Sequence, residues 1–182
     1  RDLGGHPILG TKCRMAEYQA SILITQMASV EEETKIRSGN AAYLTEKLKE
    51  VPGIVPIQQY DEMTWTTYYY YGFRYKKEHY NDCPRNKFVK ALRAEGSPVS
   101  TGLGVIEGEP QHREGLIEAT LNSKTFRKIY SKEKLDAYRE QLNCPEADQL
   151  VEETVGFHSK VLLGSRKDMD DIYHAFSKIY EN

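Results

Sequence analysis

Two cations stand by themselves at the start of an apolar run. Lys12 and Arg14 follow the turn Gly10-Thr11, and no acid appears until Glu17. Residues 9–30 then become rich in Ala, Ile, Leu and Met, with almost no charge. The stripes Met15/Tyr18/Ile22 and Ala16/Ala20/Leu23/Met27/Val30 both fit helical spacing, so apolar side chains cover more than one face. A helix that opens on a basic turn can hold an anion, through its free first N–H groups, its dipole and the two cations. The same residues also describe a core helix whose first turn happens to be basic. A second stretch rich in chemistry is WTTYYYYGFRYK, residues 65–76. As a strand it places Tyr68, Tyr70 and Gly72 on one face and Tyr69, Tyr71, Phe73 and Tyr75 on the other. Four consecutive tyrosines then carry hydroxyls on both faces. They form either a wall of a polar pocket or a half-buried sheet with polar tips.

Other catalytic arrangements find little support. His6, His79, His112, His158 and His174 are isolated, and no nucleophile elbow or paired zinc-binding His occurs. Cys13, Cys83 and Cys144 are odd in number and far apart, matching neither a disulfide framework nor a metal-ligand spacing. Glu31-Glu32-Glu33 belongs on a solvated helical face. The stretch of residues 102–110 is glycine-rich but lacks the Lys-Ser/Thr ending of a phosphate loop and the dinucleotide fingerprint. It is a lid or a long connection. A net charge of −2 gives no support to nucleic-acid binding. No run approaches the ~18 apolar residues of a membrane span, and no signal peptide is visible. The expectation is a cytoplasmic protein without metal, membrane or nucleic-acid partner.

The elements that would position these residues follow in order. With 182 residues the chain can bury a real core. The opening helix continues to about Glu50, with Ile36, Tyr43, Leu44 and Leu48 as the stripe of its second half. At that length it either breaks near residues 38–40 or starts in one domain and ends in another. Pro52-Gly53 stops it. Short strands are expected at 54–59 and 65–76, then a helix from Pro84 to Glu95 burying Phe88, Val89, Ala91 and Leu92, with Gly96 as its stop. A strand at 98–101 follows. Residues 111–143 are polar with weak helical spacing. Pro145 opens a helix to about Thr154 with Ala147, Leu150 and Val151 inward. A strand covers 155–163, and Ser165 with Asp168 caps a last helix whose stripe is Met169, Ile172, Phe176 and Ile179. The order favours an α+β fold, a small antiparallel or mixed sheet with helices on one face and a long N-terminal helix.

Taken together, several of these motifs resemble one family. Gly10-Thr-Lys-Cys-Arg-Met15, Glu17, Gln19-Ala20 and Gln26 are similar to the G-x-N-x-R-M-x-E-x-Q-A-A segment of the DegT/DnrJ/StrS PLP-dependent sugar aminotransferases. Arg37, Asn40, Ala41 and Tyr43-Leu44 resemble that family's long helix. Tyr68 to Tyr75 resembles its Y-H-x-Y-x-F-R-Y strand, and FVKALRAEG (88–96) its F-x-x-x-L-x-x-x-G-I helix. Residues 144–153, Leu162-Leu163-Gly164 and DMDDI (168–172) resemble its closing section, and 111–143 is the weakest part. The nearest subgroup is the glutamine:scyllo-inosose aminotransferase-like one.

The resemblance implies the C-terminal small domain of a fold-type I PLP transferase. Residues 1–50 would be a linker turn and long interdomain helix, and 51–182 the small domain, with 111–143 as a possible insertion. The large domain carrying the Schiff-base Lys would lie upstream, so this segment by itself should not transaminate. The whole enzyme would be a homodimer that uses pyridoxal 5'-phosphate, a keto-sugar or keto-cyclitol, and glutamine or glutamate as amino donor. Lys12, where the family has Asn, would reach the partner subunit's cofactor phosphate, with Arg14 beside it. Tyr69, where the family has His, and Ser100 and Thr101 would line the substrate side. Phe157-His158 replaces the family's Leu-Pro. A non-catalytic dimerisation or ligand-binding relative is the alternative. In either case the opening helix should expose apolar surface unless a large domain or a second copy covers it.

Overall fold

The computed structural model describes residues 14–63, 66–101 and 110–182, and only the backbone of Ser100 and Thr101. Among the described residues, contacts divide the chain into two units, one of residues 15–101 and 153–182 and one of residues 110–152 with Arg14.

The first unit is an α+β layer. Helix α1 (Glu17–Leu48) runs 32 residues without a break, about 48 Å at 1.5 Å per residue. Gly39 and Asn40, both poor helix formers, do not interrupt it because tertiary bonds hold this turn in place. The Asn40 amide donates to the carbonyls of Leu162 and Gly164, each at 2.8 Å, and the Ser38 hydroxyl donates to the Thr66 carbonyl at 2.9 Å. Ala41, Leu44 and Leu48 are fully buried, while Ile36 of the expected stripe is exposed. The amino half differs sharply. Met15, Tyr18, Ile22, Leu23, Ile24, Met27 and Val30 are all exposed.

The sheet has the order β1-β2-β4-β3 and is antiparallel throughout, with β1 (Ile54–Pro56), β2 (Tyr70–Tyr75), β3 (Ser100–Thr101) and β4 (Thr154–His158). One face carries Tyr71, Phe73, Tyr75, Val155 and Phe157 into a core shared with α1, α2 (Arg85–Ala94) and α7 (Arg166–Glu181). Ring packing organises that core. Tyr75 stacks on Phe88 at 4.1 Å, Tyr71 on Phe157 at 5.1 Å, and Phe73 meets Phe176 edge-on at 5.1 Å. Gly96 at φ +86 ends α2, and the reciprocal Ser165–Asp168 box opens α7 as its sequence signals. Met169, Ile172 and Phe176 are buried, with Ile179 half-buried against them.

All four strands are shorter than expected, and in β2 and β4 the cause is visible. Tyr68 sits at φ +48, and β2 begins only at Tyr70. That kink breaks the simple alternation: Tyr68 packs toward the core, whereas Tyr69, expected on the face of Tyr71 and Phe73, is 68% exposed. Strand β4 stops at His158, and residues Ser159–Leu163 turn into a 3₁₀ helix. The cause is local, since His158 Nδ1 accepts the Lys160 N–H at 3.2 Å and so caps that turn.

The second unit is helical. After a 3₁₀ turn at Gln111–Arg113 come α3 (Gly115–Leu121), α4 (Lys124–Ile129), α5 (Lys132–Gln141) and α6 (Pro145–Glu153), whose last residue belongs to the first unit. Ser123 and Ser131 cap α4 and α5 by accepting the N–H groups of Phe126 and Lys134. The inward face expected for α6 forms only in part: Ala147 and Val151 are half-buried, Leu150 is exposed, and no residue of α6 is fully buried. No helix among the described residues is long and apolar enough to cross a membrane.

Two expectations follow. Asn40→Ala should remove about 1–3 kcal/mol of stability, because two carbonyls lose their donor. Asn40→Asp should cost at least as much, since a carboxylate cannot donate; urea unfolding measures both. A pair of glycine replacements should differ in sign. A Cβ at Gly156 would lie 2.4 Å from the Tyr71 carbonyl, so Gly156→Ala should destabilise by about 1–3 kcal/mol. At Gly39, in mid-helix with nothing within 4 Å, alanine should stabilise by about 1 kcal/mol.

Candidate functional site

The β2–β4 register decides which chemistry-bearing side chains meet on the outer face of the sheet. Tyr70 pairs with His158, Gly72 with Gly156, and Arg74 with Thr154. Directly paired residues of antiparallel strands point to the same face. This face therefore has an aromatic end, a bare glycine middle and a charged end. The glycine pair is required by packing at Gly156, where backbone of β2 leaves no room for a side chain.

At the aromatic end three rings form a cluster. Tyr69 and Tyr70 meet edge-to-face with centroids 4.8 Å apart, and the His158 ring lies 5.8 Å from Tyr69 and 5.2 Å from Tyr70. His158 Nδ1 is occupied by the Lys160 N–H and stands 3.3 Å from the Ser159 hydroxyl. With Nδ1 an acceptor, the neutral ring carries its proton on Nε2 and can donate from there. The Tyr69 and Tyr70 hydroxyls form no hydrogen bond with another described residue. The cluster can thus present aromatic edges and donors to a hydroxyl or carbonyl oxygen. The Ser159 hydroxyl beside His158 shares Nδ1 with the Lys160 N–H, so that nitrogen is already taken as an acceptor.

At the charged end Glu153 receives Arg74 Nε at 2.6 Å and Lys76 Nζ at 2.8 Å. All three side chains are partly buried, so this triad anchors the start of β4 against β2 at the opposite end from the rings.

The sequence reading placed four tyrosines in one strand, but the structure separates them. Tyr71 donates or accepts with the Thr45 hydroxyl at 2.7 Å, and Tyr68 is bonded by the Gln59 amide. Burial pushes both phenols above their ordinary value, and each hydrogen bond opposes the shift in part. Tyr68 lines an open groove of about 550 Å³ with Thr45, Glu46, Lys49 and Gln59, on the α1 side of the sheet. Among the described residues the four tyrosine hydroxyls do not line one wall.

Of the other candidate residues, Lys12 lies outside the described residues. Arg14 is exposed and makes no ion pair among them. Ser100 pairs in the ladder with Gly156, which brings the β3 backbone beside the same outer face, two residues along β4 from His158. The involvement of Tyr70 and His158 was not legible from spacing, because their pairing spans 88 residues of chain. Among the described residues no three His, Cys, Asp or Glu side chains stand close enough to hold a metal ion. For an organic phosphate the described residues offer only the exposed Arg14 of the basic turn. They do not make a cofactor site by themselves.

Residues 2–177 match the DegT/DnrJ/EryC1/StrS aminotransferase family. The L-glutamine:2-deoxy-scyllo-inosose aminotransferase of Streptomyces fradiae is 31% identical over 178 residues, covering 94% of this chain and 39% of the relative. The Streptoalloteichus tenebrarius protein of the same name is 27% identical over 173 residues, with 94% and 39% covered. In solved structures, 3-amino-5-hydroxybenzoic acid (AHBA) synthase superposes with a TM-score of 0.65 at 22% identity, covering 96% of this chain and 41% of that one. The aminotransferase from Psychrobacter cryohalolentis gives 0.62 at 19%, covering 97% and 42%. The chain spans about two fifths of the length of these relatives. The α+β layer, the match along nearly the whole chain and the curated relatives agree: the chain belongs to the DegT/DnrJ/EryC1/StrS aminotransferase family.

Proposed function

We propose that this chain is the small-domain portion of an aminotransferase that moves an amino group from glutamine or glutamate to a keto-sugar or keto-cyclitol. The observation that carries the reading is the family match over residues 2–177. The names of the curated relatives supply the substrate class. Because the chain spans about two fifths of each relative, the cofactor-bearing large domain is assigned to the rest of the protein, preceding residue 1. Pyridoxal 5'-phosphate, when bound there, supplies the electron sink for the transfer.

This chain's own residues then have three tasks. The exposed apolar half of α1, from Met15 to Val30, packs on the large domain and carries the basic turn to it. Such a continuous apolar face on a 32-residue helix is otherwise unaccounted for. Lys12, with Arg14, contributes positive charge to the cofactor phosphate of the partner subunit in a homodimer. An ammonium binds phosphate as a point charge rather than through a fixed fork, so Lys12 tolerates a looser geometry. Tyr69, with Tyr70 and His158, meets the substrate side, where a hydroxyl-rich ring suits aromatic edges and an imidazole donor. Ser100, paired with Gly156, extends that face onto the neighbouring strand, whereas the register places Thr101, paired with Val155, on the opposite face.

The full-length protein purified with pyridoxal phosphate should be yellow and should transaminate a keto-cyclitol with glutamine, whereas the 182-residue chain should not. A full-length protein that stays colourless and inactive overturns the reading in favour of a non-catalytic relative. In that protein Lys12→Ala should lose cofactor faster on dialysis, with absorbance as the measure; unchanged retention removes Lys12 from the phosphate. Tyr69→Ala should raise KM for the keto substrate by about five- to tenfold with a smaller change in kcat, the pattern of lost ground-state binding. An unchanged KM would take Tyr69 out of the substrate site.

A further inference from the structure

We propose that Tyr68 is a positioning residue whose left-handed backbone aims Tyr69 at the substrate, an inference that rests on the substrate role proposed for Tyr69 and deepens it. Among the described residues, the non-glycine residues at positive φ are Tyr68 at +48, Asn81 at +52 and Asp82 at +54. Asn and Asp enter this region readily, because their short polar side chains bond locally. A tyrosine does not, and glycine would take the same conformation without strain. A bulky residue persists there only when its surroundings over-determine it.

Tyr68 is fixed from three directions. Two residues before it, the Thr66 carbonyl accepts the Ser38 hydroxyl of α1 at 2.9 Å. One residue after it, the Tyr69 carbonyl accepts the Ser159 N–H at 3.2 Å. Between these points its own side chain is held. The ring packs against the core 6.0 Å from the Tyr71 ring, and the hydroxyl accepts from the Gln59 amide. The consequence falls on the next residue. Regular alternation would send Tyr69 to the face where Tyr71 and Phe157 already stack at 5.1 Å. The turn at Tyr68 instead leaves Tyr69 68% exposed, with its ring beside Tyr70 and His158. The Tyr69 hydroxyl has no hydrogen bond with another described residue. Its place therefore depends on the backbone that precedes it.

The test uses the full-length protein in two arms. A fluorinated tyrosine inserted at position 69 reports the surroundings of that ring by fluorine NMR. Tyr68→Phe keeps the ring but loses the hydroxyl, and Gln59→Leu removes its partner. Each should shift or broaden the resonance. In the kinetic arm each should raise KM for a keto-cyclitol by about threefold, with kcat nearly unchanged. Gln59→Glu, whose carboxylate accepts the Tyr68 O–H, should keep KM near that of the unaltered protein. Neither Tyr68→Phe nor Gln59→Leu should raise KM further once Tyr69 is alanine, since residues acting through one another do not add. Thermal unfolding reports whether each variant is folded. A resonance that stays in place in both single variants overturns the proposal, as does a KM rise that persists in the Tyr69→Ala protein. If Tyr69→Ala itself leaves KM unchanged, the substrate contact of Tyr69 is what falls, and a shifted resonance still supports Tyr68 as the residue that places the ring.

Discussion

The pairing of β2 with β4 is the constraint on which the first unit depends. It is the longest ladder in the sheet, from Tyr70↔His158 to Arg74↔Thr154, and it pairs residues eighty or more positions apart. At its centre Gly156 lies so close to the Tyr71 carbonyl that no other residue fits. On one side this register stacks Tyr71 on Phe157 and presents Phe73 to α7. On the other it gathers Tyr70 and His158 at one end and Arg74 near Glu153 at the other. A one-residue slip would exchange the two faces, burying the charged triad and exposing the aromatic core.

Helix α1 serves two environments with one continuous backbone. Its carboxyl half is anchored by Asn40, by the Tyr43 hydroxyl donating to Asp170 at 2.5 Å, and by Arg166 over the Tyr43 ring at 4.4 Å. These contacts explain why a Gly-Asn pair in mid-helix is tolerated. The amino half has no comparable anchors among the described residues and keeps its apolar side chains exposed. Its hydrogen bonds are local, as in Ser21 and Thr25 donating to carbonyls one turn back, and Ser29 to Gln26 three residues back.

The helical unit follows another logic. Its helices are short and serine-capped, and side-chain pairs such as Arg139 with Glu118 and Asp136 tie neighbouring turns together. With so little apolar area fully buried, capping and ion pairs count for more here than in the α+β layer. That balance is why its sequence looks polar and weakly periodic.

Much of the fold could be read from residues alone, wherever the cause is local. Pro52-Gly53, Gly96 and the Ser165–Asp168 box mark element ends because backbone freedom and capping act within a few positions. The apolar stripes of α2 and α7 follow from helical spacing, and the likeness to the family rests on motifs in order along the chain. What only the tertiary structure decided depends on contacts distant in sequence. The left-handed turn at Tyr68 sends Tyr69 outward. The β2–β4 register sets His158 beside Tyr70, and Asn40 reaches carbonyls some 120 residues away. The sequence by itself determined the family, the layer type and the helix ends. The tertiary structure determined which tyrosines share a face and where α1 stops being buried, because strand register and burial are set by partners no local pattern can name.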